Sequence, residues 1–195
     1  MSLINLRHGI FLPPFHPNEE NPTQCLERDL ELMAWLDKLG FHEAWIGEHH
    51  SAGFEIISSP EIFIAFAAER TRNIRFGTGV ISLPYHHPMM VADRIVQLDH
   101  MTRGRVMFGA GPGLLASDAI MMGIDPLTQR DRMAQSIDVI LRLFKGEVVT
   151  RGPTGTRWRA AGSTSCPTPS PIPRSQWSAQ SPRQAAGSPA STISA

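Results

Sequence analysis

Only two cysteines occur in the 195 residues, Cys25 and Cys166, and their wide separation fits neither a disulfide framework nor a metal-ligand pattern. Long apolar runs are missing as well: none reaches the ~18 residues that suggest a membrane-spanning helix. Met1 to Pro14 lacks the basic start, apolar stretch and small-residue cleavage site of a signal peptide. The formal net charge is zero, so nothing global argues for nucleic acid or an anionic membrane as partner. What remains is the profile of a soluble, cytoplasmic protein, and a hydrophobic content of 42% is enough for the core of one domain.

A second set of absences divides the chain. Residues 151–195 hold no acidic residue, no histidine and no Leu, Val, Phe, Met or Lys, while Ser, Pro and Ala fill 23 of the 45 positions. All 18 acidic residues and all eight histidines precede residue 151, so the body carries a net −5 and the tail a net +5 from five arginines. Such a tail cannot bury enough apolar surface to offset its conformational entropy, and disorder is the expectation for it. The change near Thr150 is abrupt, and Arg without Lys is what an alternate frame of GC-rich DNA yields. A frameshift product is therefore the expected origin, with a natural disordered tail as the alternative. Resequencing from the codon for Phe144 onward would separate them.

Residues 1–150 read as strand-then-helix units. The first strand is Leu6 to Leu12; a helix follows with Asn21 as N-cap, Pro22 at its first position and Gln24 as capping-box partner, and it ends at Gly40. The second strand is Glu43 to Gly47, and Ser59-Pro60 opens a helix with Ile62, Phe63, Phe66 and Ala67 inward. The third strand runs Ile74 to Leu83, before a helix from Pro88 to Gly104 that carries Val91, Ile95, Leu98 and Met101. The fourth is Arg105 to Ala110, and Asp125-Pro126 begins the last helix, which stops at Gly146. Four such units imply parallel strands with right-handed crossovers, either an open doubly wound sheet or half of a (β/α)8 barrel.

Chemistry-bearing residues gather at the C-terminal strand ends, where both architectures place their sites. Glu48-His49-His50 follows the second strand, Pro84-Tyr85-His86-His87 the third and Gly109 to Gly113 the fourth. Neighbouring residues on an extended strand point to opposite faces, so His49 and His50 are not expected to share a metal ion. A metal hydrolase built on Glu48-His49-His50 is accordingly the remotest reading, and no metal ligand is assigned. His49 reads as a base or hydrogen-bond donor in a cleft, or as a capped loop histidine. His87, before Pro88, reads as a helix cap. The glycines of 109–113 match neither a dinucleotide fingerprint nor a phosphate loop, and Pro112 removes an N–H. They permit a close backbone approach to something flat, or simply a turn.

Taken in order, Pro13-Pro14, Gly40-Phe41, Ala44-Trp45, Glu48-His49-His50, Ile74 to Val80, Leu83-Pro84, His87-Pro88, Leu98-Asp99, Gly104-Arg105 and Phe108-Gly109 to Gly113 resemble the luciferase-like family of flavin-dependent oxidoreductases. The resemblance spans residues 6–146, and Arg7 to Pro17 with Phe108 to Gly113 is most similar to the limonene monooxygenase-like branch. It implies the N-terminal half of a (β/α)8 barrel, a partial domain at 1–150 and a tail at 151–195. The implied reaction transfers one oxygen atom of O2 to a small apolar substrate, with reduced FMN delivered by a separate reductase. An F420-dependent oxidoreductase of the same superfamily, or a non-catalytic barrel fragment, are the alternatives. By the same resemblance His49 is the base beside the flavin, and Gly79-Val80 is a strand bulge with a cis peptide bond against the flavin ring. Gly111 stands where luciferase has a reactive cysteine, which excludes a thiol role there. The flavin phosphate site of the family falls on later loops that these residues do not supply, so the chain is expected to be inactive by itself. Intact relatives are often homodimers.

Overall fold

The computed structural model describes residues 6–151, 156–158 and 177–179. Helix starts follow the local chemistry. Asn21, in an extended conformation, accepts the Thr23 N–H at 2.9 Å, and Pro22 opens α1 (Pro22–Lys38). Proline also opens α2 (Pro60–Glu69) and α3 (Pro88–Thr102). His87 occupies the N-cap of α3, but its side chain makes no cap hydrogen bond, so it caps by position alone. Gly40 leaves α1 at φ +80°, a conformation that a β-carbon disfavours.

Five strands of a six-stranded parallel sheet follow one another in the order β1-β2-β3-β5-β4: β1 (Gly9–Leu12), β2 (Glu43–Ile46), β3 (Arg75–Thr78), β4 (Ile81–Ser82) and β5 (Val106–Gly111). The register sets Phe11, Trp45, Gly77 and Met107 side by side. The expected third strand from Ile74 to Leu83 is divided into β3 and β4. Gly77 pairs with Met107 and Ile81 with Ala110, so four steps on one strand span three on the other. The extra residue is a bulge, and the cis Gly79–Val80 peptide bond lies in it. Between the two ladder segments the Thr78 hydroxyl takes over the pairing: it donates to Gly109 O at 2.7 Å and accepts Gly109 N–H at 2.9 Å.

Two elements differ from expectation beyond β5. A short helix, α4 (Ala116–Met121), precedes the last one, and Asp125-Pro126 opens a single 3-10 turn rather than the helix itself, α5 (Gln129–Phe144). The tail falls mostly outside the described residues. Within or at the edge of it, β6 (Val149–Arg151) pairs antiparallel with β7 (Thr156–Trp158), and β8 (Trp177–Ala179) pairs parallel with β5.

One sheet face is closed by helices. Ala44, Ile46, Phe76, Val106 and Phe108 are buried there against residues such as Met33, Ile64, Ile95 and Ile140. Burying each large side chain contributes roughly 1.5–3 kcal/mol, so stability resides on this face. The other face is open at Phe11, which is 54% exposed. Ile62 and Phe66, expected inward, are 63% and 58% exposed, and Met101 is exposed too. Ile62 and Phe66 instead line a groove of about 260 Å3 between α1 and α2, with Leu26, Leu30 and Phe63. Their helical spacing is that of a buried face, but the sheet below is already covered by Phe63, Ile64 and Ala67.

Candidate active site at the C-terminal strand ends

Beyond β2 comes Gly47, where a β-carbon would lie 2.7 Å from Pro14 Cδ. The next side chain, Glu48, is buried. Its Oε1 accepts from His50 Nε2 and from His86 Nε2, both at 2.9 Å, and its Oε2 accepts the Ser82 N–H at 3.1 Å. Burial pushes the Glu48 carboxyl up, but the bonds from His50 and His86 outweigh it and hold the group below the ordinary carboxylate value. The bond to Glu48 raises His50 in return, against its own burial.

His49 turns the other way. Its Nδ1 lies 3.0 Å from Asp118 Oδ2, and the same carboxylate accepts the N–H groups of His50 (3.3 Å) and Ser51 (2.7 Å). Burial raises Asp118, and its bonds from Ser51 and His49, with those backbone N–H groups, more than reverse that and leave it depressed. An ionised carboxylate only accepts, so the Nδ1 of His49 carries the proton that Asp118 accepts. Nε2 faces Glu55 Oε1 at 3.7 Å, and Glu55 Oε2 is buried without a hydrogen-bond partner among the described residues.

The glycine positions form a second wall. Gly79 and Val80 are half-buried, and a β-carbon on Gly79 would lie 3.2 Å from both Phe11 and Trp45. Gly111 is buried, and a β-carbon on it would lie 2.6 Å from Val80 Cγ2. Gly111 therefore touches the site through Val80. Gly79 N–H donates to Ile46 O at 2.6 Å, which ties the bulge to the strand that carries His49. Nearby, Gln129 Nε2 donates to Tyr85 Oη at 2.8 Å and to Pro112 O at 2.9 Å, bracing the loop after β5.

The structure puts His49 beyond β2, Gly79 and Val80 in the bulge between β3 and β4, and Gly111 at the end of β5. Sequence reasoning anticipated that His49 and His50 diverge. It missed Asp118, Glu55 and the joining of His86 to His50. Asp118 lies 69 residues from His49 on a helix with no patterned signal, so only the fold brings the pair together.

The model of the family described as luciferase-like monooxygenase matches residues 6–192, and the chain belongs to that family. It is 62% identical over 144 residues to 4-hydroxyprotoasukamycin monooxygenase of Streptomyces nodosus subsp. asukaensis, covering 73% of this chain and 39% of that protein. It is 57% identical over 143 residues to limonene 1,2-monooxygenase of Rhodococcus erythropolis, covering 73% of this chain and 37% of that one. The structure is similar to the oxygenating constituent of 3,6-diketocamphane monooxygenase from the CAM plasmid of Pseudomonas putida, a type II Baeyer-Villiger enzyme solved with FMN. The TM-score is 0.72 at 26% identity, over 79% of this chain and 43% of that one. The chain thus spans about two fifths of the length of these relatives, and its parallel sheet corresponds to part of their barrel.

Proposed function

We propose that these residues form one wall of the active site of a monooxygenase that uses reduced FMN and O2 to insert one oxygen atom into a small apolar organic substrate, such as a terpene. The carrying observation is the Asp118–His49 pair beyond β2, the strand whose Ile46 O accepts the N–H of the half-buried Gly79. Asp118 orients the imidazole and holds a proton on its Nδ1, so Nε2, on the side of Glu55, is the atom that can take or relay a proton. Gly79 and Val80 offer a flat surface for an aromatic ring, and Gly111 leaves room for Val80 behind it. These features fit the ring end of a flavin; a phosphate anchor is not assigned among the described residues. Reduced FMN, when bound, supplies the electrons that activate O2. Phe11 on the open face is apolar surface suited to substrate. Among the described residues no helix is long and apolar enough to cross a membrane. A cytoplasmic setting, a separate flavin reductase and a second copy of the chain complete the reading.

Anaerobic titration of the 195-residue chain with reduced FMN, and with F420 in parallel, tests it. Saturable FMN binding with weaker F420 binding is expected; no saturable FMN binding, or tighter F420 binding, refutes it. In Asp118→Asn the imidazole loses its anionic partner, so the 15N shifts of His49 should move toward mixed tautomers. Unchanged shifts refute the orienting role.

A further inference from the structure

We propose that Glu48, His50 and His86 form a binding site for one divalent transition-metal ion of the zinc class. Glu48 Oε1 stands 2.9 Å from each Nε2, and the three donor atoms all lie within 4.8 Å of one another. A tetrahedral ion with bonds of roughly 2.0–2.1 Å needs its ligands about 3.3 Å apart, so the donor atoms, all within 4.8 Å of one another, need close by at most about 1.5 Å to hold it. The donor set, one carboxylate oxygen and two imidazole nitrogens, is that of a three-ligand site with an open fourth position. An ion there replaces the protons now shared between the imidazoles and Glu48, and each neutral ring then keeps its proton on Nδ1.

The surroundings are those of a built site. The Glu48 side chain is fully buried, and Ser82 N–H holds its second oxygen, which orients the carboxylate as an outer partner does in metal sites. The His50 and His86 side chains keep 13% and 21% of their surface, enough for an ion to enter. The ligands come from two strand ends joined in space, with 38 residues between Glu48 and His86. His49 takes no part, because Asp118 holds it on the opposite side. The site does not depend on flavin binding, so it stands or falls apart from the monooxygenase reading.

The test is calorimetric titration of the chelator-treated, 195-residue chain with Zn2+, with X-ray absorption at the zinc edge. One ion per chain is expected, with two imidazoles in its first shell. His86→Ala and Glu48→Gln should each weaken binding by at least about tenfold, and His100→Asn, on the exposed side of α3, should leave it unchanged. Circular dichroism checks each variant; should the buried Glu48→Gln fail to fold, His86→Ala alone decides. Absence of stoichiometric binding, binding that ignores the His86→Ala substitution, or equal loss in His100→Asn overturns the proposal.

Discussion

Replacing Thr78 with valine keeps the shape of the side chain and removes only the hydroxyl that joins β3 to β5 across the bulge. Two polar groups of Gly109 lose their partner at a residue that is fully buried, as Thr78 itself is. Leaving a buried donor or acceptor unsatisfied costs about 1–3 kcal/mol each. The added methyl returns roughly 0.8 kcal/mol of burial. Thr78→Val should therefore destabilise the chain by about 1–5 kcal/mol, centred near 3. Thr78→Ser keeps the hydroxyl and loses one buried methyl, for about 1 kcal/mol. Urea unfolding followed by tryptophan fluorescence and circular dichroism gives both numbers. A valine variant as stable as the serine variant, or more so, would show that the hydroxyl is not what spans the gap.

A β-carbon on Gly77 would enter the space of the Trp45 indole, so Gly77→Ala should cost about 1–3 kcal/mol and shift tryptophan emission, whereas Gly53→Ala, with open space around it, should do neither; equal effects would refute the packing argument. Burial pushes the Asp99 carboxyl up to about 6, and its Oδ1 has no partner among the described residues. The folded value lies above the unfolded one near 3.9, so the protonated form favours folding, and wild-type stability falls as pH rises from about 4 through 6. The stability of Asp99→Asn relative to wild type should therefore grow by on the order of 2–3 kcal/mol between pH 4 and 7. A thermal-melt difference that does not change with pH would refute it.

Much of the fold is legible because parallel strands and their crossover helices are punctuated by Pro and Gly with fixed conformational meaning. Pro22, Pro60 and Pro88 each open a helix, and Gly40, Gly104 and Gly146 all have the positive φ that follows a helix end. Local rules failed where partners are distant. Asp37 accepts the N–H groups of Arg72, Asn73 and Ile74, and Arg105 reaches Ala68 O and Ile74 O, yet neither side chain announces this in its own neighbourhood. Ile62 and Phe66 misled in the opposite sense. Apolar spacing tells which residues share a helix face but not whether that face meets the sheet. The site divided along the same line: the strand ends were readable, while the Asp118 and His86 contacts were not.

The bulge before β4 also changes the parity of one strand and not of its neighbour. In β3 the even-numbered Phe76 packs against the helices, while after the bulge the odd-numbered Ile81 and Leu83 are buried. In β5 the even-numbered Val106, Phe108 and Ala110 keep their side throughout. Were the same residues paired without the bulge, Ile81 would meet Gly111 instead of Ala110, which would turn it out of the core and carry the Ser82 N–H away from Glu48. Two unrelated contacts, one apolar and one a hydrogen bond to a carboxylate, thus hold the bulged register, which is as tightly specified as any side chain in the site.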